Sequence, residues 1–508
     1  MYAKVNSLGI IGLDAYKVEV EADTSSGLPA FDIVGLPDTA VSESKNRVRA
    51  AIKNSGYKFP VSRITVNLAP ADVRKSGSVY DLPILIAILL ATKQISYDFR
   101  NSYFIGELSL EGKLRPINGV LPMAISIEQN KNSNLFLPID NSSEASVAKG
   151  INVFGASSVS SIISHLKGEE PIVPMTPPEF PSFYIDNVLD FSDVRGQTVP
   201  RRAVEIAVAG GHNILMIGPP GSGKSMIAKR IPSIMPPLLY EESLETTKIY
   251  SIAGLVDRKN PLITARPFRS PHHTVSPAGL TGGGSIPKPG EISLSHNGVL
   301  FLDELPEFSR TSMEVLRQPL EDGKITISRA AASLTYPCSL MLVAAMNPCP
   351  CGNFGSKTKV CSCSNLAVEK YLSRISGPLL DRIDMHVEVP AVDYKSLSSE
   401  LKSESSSAIR ERVVKARNIQ KSRYRGKGYF CNKDASPSVI KSACRMSAEA
   451  ENMLKRAFER LSLSARAYTK VLRISRTIAD LEGSESVEKS HIAEAISFRT
   501  LDRKYFVR

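Results

Sequence analysis

The run Gly218-Pro-Pro-Gly-Ser-Gly-Lys-Ser225, directly after the apolar segment Asn213-Ile-Leu-Met-Ile217, restricts what this chain can fold into more than any other stretch. Glycines let successive backbone N–H groups converge on one point. Lys224 adds a cation, and Ser225 places a hydroxyl at the start of a helix predicted from Met226-Ile-Ala-Lys-Arg230. A strand, such a turn and a helix in this order form a cradle for the phosphates of a nucleoside triphosphate. The expected ligands are ATP, held by Gly218, Pro219, Pro220, Gly221, Ser222, Gly223, Lys224 and Ser225, and Mg²⁺ on Ser225. An acidic partner follows as Gly298-Val-Leu-Phe-Leu302 and then Asp303-Glu304. The run is too apolar to alternate, so it reads as a parallel strand buried on both faces. Its acids then stand at the carboxyl end of the sheet, where α/β folds bind ligands. Asp303 is expected to hold Mg²⁺ and Glu304 to polarise the attacking water.

The chain has 508 residues, enough for roughly three domains, since single cores seldom exceed about 250 residues. The longest apolar stretch, Leu82-Pro-Ile-Leu-Ile-Ala-Ile-Leu-Leu-Ala91, is too short to span a bilayer, and the start lacks a secretory layout. No membrane association and a cytoplasmic location are expected. A net charge of +12 favours a polyanionic partner such as DNA. With no Trp and 6% aromatic residues, base stacking is not the expected mode of contact. Four of the seven cysteines fall together as Cys349-Pro-Cys351 and Cys361-Ser-Cys363, which in a reducing compartment points to thiolate ligation of a structural Zn²⁺. This C-x-C spacing is tighter than usual, so buried free thiols or a redox loop stay open as alternatives.

Residues 1–168 mix β-rich runs such as Arg63-Ile-Thr-Val-Asn-Leu68 with helices predicted at Ser42 to Asn54 and Asp81 to Ala91, an α+β arrangement. A linker is expected at 169–183, where Glu169 to Pro181 carries five prolines in thirteen residues. An α/β nucleotide domain with a parallel sheet is placed at 184–390, with two inserts and the cysteine cluster at 349–363. The insert at 255–297 contains Arg266, Arg269, His272, His273, Lys288 and Gly282-Gly-Gly284, and is too long for an ordinary loop. The insert at 324–338 alternates like a β-hairpin. Asn347, after the strand Ser339 to Ala345, is either a γ-phosphate sensor or a turn residue before Pro348. Arg382, in Gly377-Pro-Leu-Leu-Asp-Arg-Ile-Asp384, either pairs with Asp381 or Asp384 or acts as an arginine finger on the ATP of an adjacent copy. Residues 391–508 read as a helical lid, with Val471, Ile474, Ile478 and Leu481 on one face. Arg466, at the start of that helix, is expected to reach back to the phosphates.

Phosphate turn, acidic strand, Asn347, Arg382 and Arg466 together resemble the AAA+ ATPases, and the two inserts resemble those of the branch shared by magnesium chelatase and replicative helicases. Phe268-Arg-Ser-Pro-His-His-Thr274, Asn347-Pro-Cys-Pro-Cys-Gly352 and Gly377 to Asp384 resemble the ComM/YifB family over nearly the whole chain. That resemblance implies a hexameric homo-oligomer with ATP between subunits. It also implies a helicase that promotes DNA branch migration in homologous recombination and natural transformation, with Lys324 and Arg329 gripping DNA phosphates. The first domain, through Phe104-Ile-Gly-Glu-Leu to Asn118-Gly119, is similar to the Lon-protease/ribosomal-S5 fold. The positions where a Lon-type Ser and Lys should stand hold Asp81 and Leu121, so this domain is expected to be non-proteolytic. The alternative function is a magnesium-chelatase-like motor that remodels a protein partner.

Overall fold

A computed structural model describes the chain except residues 131, 181–188, 285–286, 330–331, 357–358, 393–402, 462–463, 502–504 and 507–508. The chain forms two compact units, Met1–Pro181 with Tyr240–Ile263, and Ser182–Leu239 with Thr264–Arg508. None of the described helices is long and apolar enough to cross a membrane.

The first unit is built on a seven-stranded mixed sheet in the order Ala30–Val34, Arg63–Ala69, Asp14–Ser25, Tyr2–Ile11, Ser102–Phe104, Ser133–Pro138, Ile151–Ala156. Alternation fixes its faces: Ile64, Val66 and Leu68 are buried while the residues between them are not. The apolar run seen in the sequence is the helix Asp81–Ala91, buried on all sides, which is why its sequence shows no amphipathic stripe. Asp81 at its start is fully buried. It accepts from Arg47 Nε at 2.6 Å and from the Leu108 N–H at 3.2 Å, and Ser44 bonds it as well. Leu121 is fully buried too, clustered with Val147 and Leu262. An ion-paired Asp and a core Leu therefore occupy the two positions compared with a Lon-type dyad.

Residues Tyr240–Ile263, within the stretch assigned from sequence to the nucleotide domain, pack with this first unit. Their helix Tyr240–Ala253 is anchored through Ser251, whose hydroxyl donates to Glu144 at 2.5 Å and whose carbonyl accepts the Gly119 N–H at 3.0 Å. The hydrophobic periodicity of this helix is weak, and no local signal distinguishes a helix that packs on its own domain from one that packs on another. The proline-rich segment also has partners in the first unit: the Met175 N–H donates to Val153 O at 2.8 Å and the Ile172 N–H to His165 Nδ1 at 2.8 Å.

The second unit carries a five-stranded, all-parallel sheet in the order Phe268–Arg269, Val299–Leu302, Met341–Met346, Ile214–Ile217, Met385–Glu388. Its central strands are buried at every position, as continuous apolar runs require. The edge strand Phe268–Arg269 lies inside the 255–297 insert and is two residues long, too short to leave a sequence pattern. The hairpin expected at 324–338 is present as Lys324–Arg329 paired with Ala332–Pro337. It buries Ile325, Ile327, Leu334 and Tyr336 and exposes the cross-strand pairs Thr326 with Thr335 and Ser328 with Ser333.

Helices follow as Ser406–Arg423, Pro437–Ala443, Ala448–Leu461, Ala465–Glu482 and Lys489–Ser497. His212 ties the fourth of these helices to the core, its Nε2 lying 2.9 Å from Thr477 Oγ1. Burial pulls its pKa from 6.5 to about 4, so the folded protein keeps His212 neutral where the unfolded chain protonates it. Stability is therefore complete above pH 6.5 and is lost as pH falls from 6.5 towards 4, by about 3 kcal/mol at most. A series of melting temperatures against pH should show this slope, and His212→Gln should flatten it.

Candidate nucleotide site and cysteine centre

The parallel register brings the site together. Ile217 pairs with Met346 and Leu302 with Ala344, so residues 218–225, 303–304 and 347 leave the sheet along one edge. Gly221 and Gly223 hold φ of +74° and +91°, where a side chain would be strained. Gly223 caps the helix Lys224–Ile234 without a side-chain hydrogen bond, leaving the first-turn N–H groups to an anion. The Ser222 hydroxyl is buried and finds no hydrogen-bond partner among the described residues. Both features suit a phosphate chain.

Lys224 is 8% exposed, and its Nζ donates to Gly218 O at 2.8 Å, Pro219 O at 2.9 Å and Asn347 Oδ1 at 3.2 Å. Burial lowers its pKa, and the facing Asp303 and Glu304 offset that only in part. The Ser225 hydroxyl donates to Asp303 Oδ2 at 2.6 Å. These two oxygens come from the two elements from which Mg²⁺ coordination was expected. Glu304 adopts φ of +52°, and its N–H donates to Asp303 Oδ1 at 3.0 Å. Asn347 thus stands beside Lys224 rather than serving only as a turn.

Two further residues reach this site without having been assigned to it from sequence. His273 places Nδ1 3.8 Å from Glu304 Oε2, and its ring lies 4.0 Å from that of His272. Gln197 is buried and donates to Ser222 O at 3.1 Å and Pro390 O at 2.8 Å, bridging the phosphate turn and the end of the sheet. The His-His pair was visible in the long insert. Gln197 left no signal, being an isolated amide ahead of a helix.

Arg382 and Arg466 lie elsewhere. Both line a cavity of about 690 Å³ together with Asn213, Gly323, Lys433 and Lys470. Asn213 precedes the strand Ile214–Ile217 whereas the phosphate turn follows it, so the arginines and the turn are at opposite ends of a strand about 13 Å long. Arg466 accordingly does not reach back to the phosphate turn of its own chain; its Nη1 lies 3.9 Å from Asp381 Oδ2. Arg382 pairs with Glu321 rather than with Asp381 or Asp384, and donates to Pro378 O at 2.8 Å. Lys324 is exposed at the base of the hairpin next to Gly323, while Arg329 ends the first strand beside the turn.

The four clustered cysteines converge: Cys349 Sγ is 3.4 Å from Cys351 Sγ and 3.7 Å from Cys361 Sγ, with 3.6 Å between the latter two. With Cys363, all four sulfurs lie within 4.8 Å of one another. A disulfide would need about 2.05 Å. A tetrahedral metal with bonds of about 2.3 Å to sulfur needs edges of about 3.8 Å, and the cluster fits that figure. Backbone N–H groups of Asn353 and Ser362 hold the Cys351 thiol below its ordinary pKa, favouring its thiolate. The centre can hold a metal ion.

Three stretches match the magnesium chelatase family: residues 190–397 match magnesium chelatase, subunit ChlI, 20–141 the subunit ChlI of Mg-chelatase, and 403–499 the ChlI C-terminal region. The chain is 41% identical over 509 residues to Competence protein ComM of Haemophilus influenzae, covering 99% of this chain and 98% of that one. The chain belongs to the ComM/YifB family. It is also 40% identical to YifB of Escherichia coli over 501 residues, covering 98% of this chain and 97% of that protein. Lon protease 2 of Bacillus subtilis is 29% identical over 154 residues, 28% of this chain and 26% of that protein. As a ComM/YifB member with a magnesium-chelatase-like AAA+ domain, the chain is an ATPase, an α/β protein that combines a parallel nucleotide-binding sheet with a helical C-terminal region.

Proposed function

We propose that this ATPase is a cytoplasmic ring motor that hydrolyses ATP at seams between identical subunits and drives DNA branch migration. The observation that carries the assembly is the separation of Arg382 and Arg466 from the phosphate turn by a full strand length. An arginine that serves ATP from there serves a neighbour's ATP, and repeating that head-to-tail contact closes a ring, for which we adopt six subunits. In each seam one subunit supplies Lys224, Ser225, Asp303, Glu304 and Asn347 with Mg²⁺, and the next supplies its two arginines.

The DNA assignment rests on the net charge of +12, on the hairpin whose first strand ends at Arg329, and on the similarity to a competence protein. Arg329 at the hairpin turn is the stronger candidate to grip a phosphate backbone; Lys324 sits at the base, beside the arginine cavity. Zn²⁺ is the metal we assign to the four cysteines. The matches to the ChlI subunit favour a second reading, a motor that remodels a protein partner.

One experiment separates the two readings. Phosphate release by the purified protein should rise severalfold with forked or four-way DNA, fall steeply as salt increases from 50 to about 200 mM, and become independent of DNA in Arg329→Ala. Turnover that ignores DNA at every salt concentration would favour the protein-remodelling motor.

A further inference from the structure

We infer that the four-cysteine centre is a metal-held brace of the nucleotide pocket: Zn²⁺ on Cys349, Cys351, Cys361 and Cys363 fixes Asn347 and Pro220 in place, and nucleotide affinity depends on its occupancy. This rests on the reading of 218–225 as the ATP cradle.

Three connections run from the cysteines to the site. The first is covalent. Cys349 is fully buried and follows Asn347 by two residues across Pro348, so anchoring its sulfur anchors the amide that accepts from Lys224 at 3.2 Å.

The second connection is a close packing contact. Gly352, within the cysteine loop, has φ of +79°, and a Cβ built there would lie 2.3 Å from Cδ of Pro220 in the phosphate turn. The loop and the turn touch with no room for a methyl group, so a shift of one displaces the other.

The third leads to the acidic strand. Cys363 is followed by Ser364, which caps the helix Asn365–Leu372. Just beyond it, Arg374 donates to Glu307 at 2.8 Å and to Pro306 O at 3.2 Å, two residues past Glu304 at the nearer point. Phosphate turn, sensor amide and acidic strand thus all lead to one loop.

Regular secondary structure does not shape that loop. Among the described residues of 348–364 there is no helix or strand. Its local order comes from turns and from backbone N–H groups aimed at sulfur, such as that of Phe354 at 3.3 Å from Cys349 Sγ. A segment of this kind gains its fixed geometry from a metal that closes it. The centre lies at the catalytic edge of the sheet, whereas the hairpin with Arg329 is a separate element, so the metal supports the pocket rather than forming a nucleic-acid finger.

The test uses the full-length protein purified without chelator, metal analysis, and binding of a fluorescent ATP analogue. About one zinc per chain is expected. Stripping it with a thiol-reactive mercurial followed by chelator and dithiothreitol should weaken nucleotide binding at least tenfold, and adding Zn²⁺ back should restore it. Recovery on adding Zn²⁺ rules out irreversible unfolding as the cause. Gly352→Val should keep one zinc per chain and still weaken binding at least tenfold, because it separates loop from turn while sparing the ligands. Lys224→Ala should lose the nucleotide and keep the zinc. Absence of zinc before and after reconstitution, or iron in its place, overturns the metal assignment. Unchanged nucleotide affinity in zinc-free protein overturns the brace. A wild-type protein that holds zinc but binds no nucleotide overturns the ATP cradle and the brace with it, and leaves the metal site standing.

Discussion

Glu304→Gln is expected to leave ATP bound and to cut its hydrolysis by about 10²- to 10⁴-fold, the range typical of a lost general base. The amide keeps the size and the φ of +52° of the residue it replaces, so the turn into Leu305–Glu307 should persist. What it removes is the negative charge that can draw a proton from water. Because Ser225 and Asp303 already meet at 2.6 Å without Glu304, the Mg²⁺ ligands are untouched. Lys224→Ala should behave differently. Removing the ammonium leaves the Gly218 and Pro219 carbonyls and the Asn347 amide without their shared donor, and takes away the only cation that contacts them in the described site. Both binding and turnover should fall. Nucleotide binding and single-turnover phosphate release, measured side by side, check the pair. If Glu304→Gln hydrolyses ATP at the wild-type rate, water is activated by another group, and His273, 3.8 Å from Glu304 Oε2, is the first to examine.

The cradle was readable because its chemistry is local. Gly218 to Ser225 are contiguous, and the fully apolar runs Ile214–Ile217 and Val299–Leu302 declare parallel strands whose carboxyl ends must converge. The helix Ala465–Glu482 was readable for the same reason, since Val471, Ile474 and Ile478 mark one buried face. What could not be read was direction in space. Arg466 heads a helix whose start could face either end of the sheet, and only the fold reveals that it stands with Asn213 and Arg382. Similarly, nothing in Tyr240–Ala253 marks it as a helix that leaves the nucleotide unit to pack against Leu121 and Glu144. The cysteines occupy a middle position. Their clustering in sequence suggested a metal, but the contact of Gly352 with Pro220, which links the cysteine loop to the phosphate turn, comes from tertiary packing alone.

Arg382→Ala is expected to reduce turnover by about 10³- to 10⁵-fold while leaving nucleotide affinity near wild type, as for other arginines that act on a neighbour's triphosphate. In the isolated chain its guanidinium is paired with Glu321 and lies a strand length from the phosphate turn, so it contributes nothing to the cradle of its own subunit. Formation of a seam must break that pair, and Glu321→Ala should therefore not impair hydrolysis. Subunit mixing provides the sharpest form of the test. Arg382→Ala chains retain an intact cradle, and Lys224→Ala chains retain an intact arginine; each alone should be inactive. Mixed at equal amounts and assembled at random, about a quarter of the seams join a working cradle to a working arginine, and activity should return in that proportion. A cis arrangement predicts no recovery at any ratio, because every chain then carries one broken half of its own site. Co-purification of the two variants through different tags establishes that they share an assembly. If they do and the mixture stays inactive, hydrolysis at the seam is wrong and the arginine cavity needs another purpose.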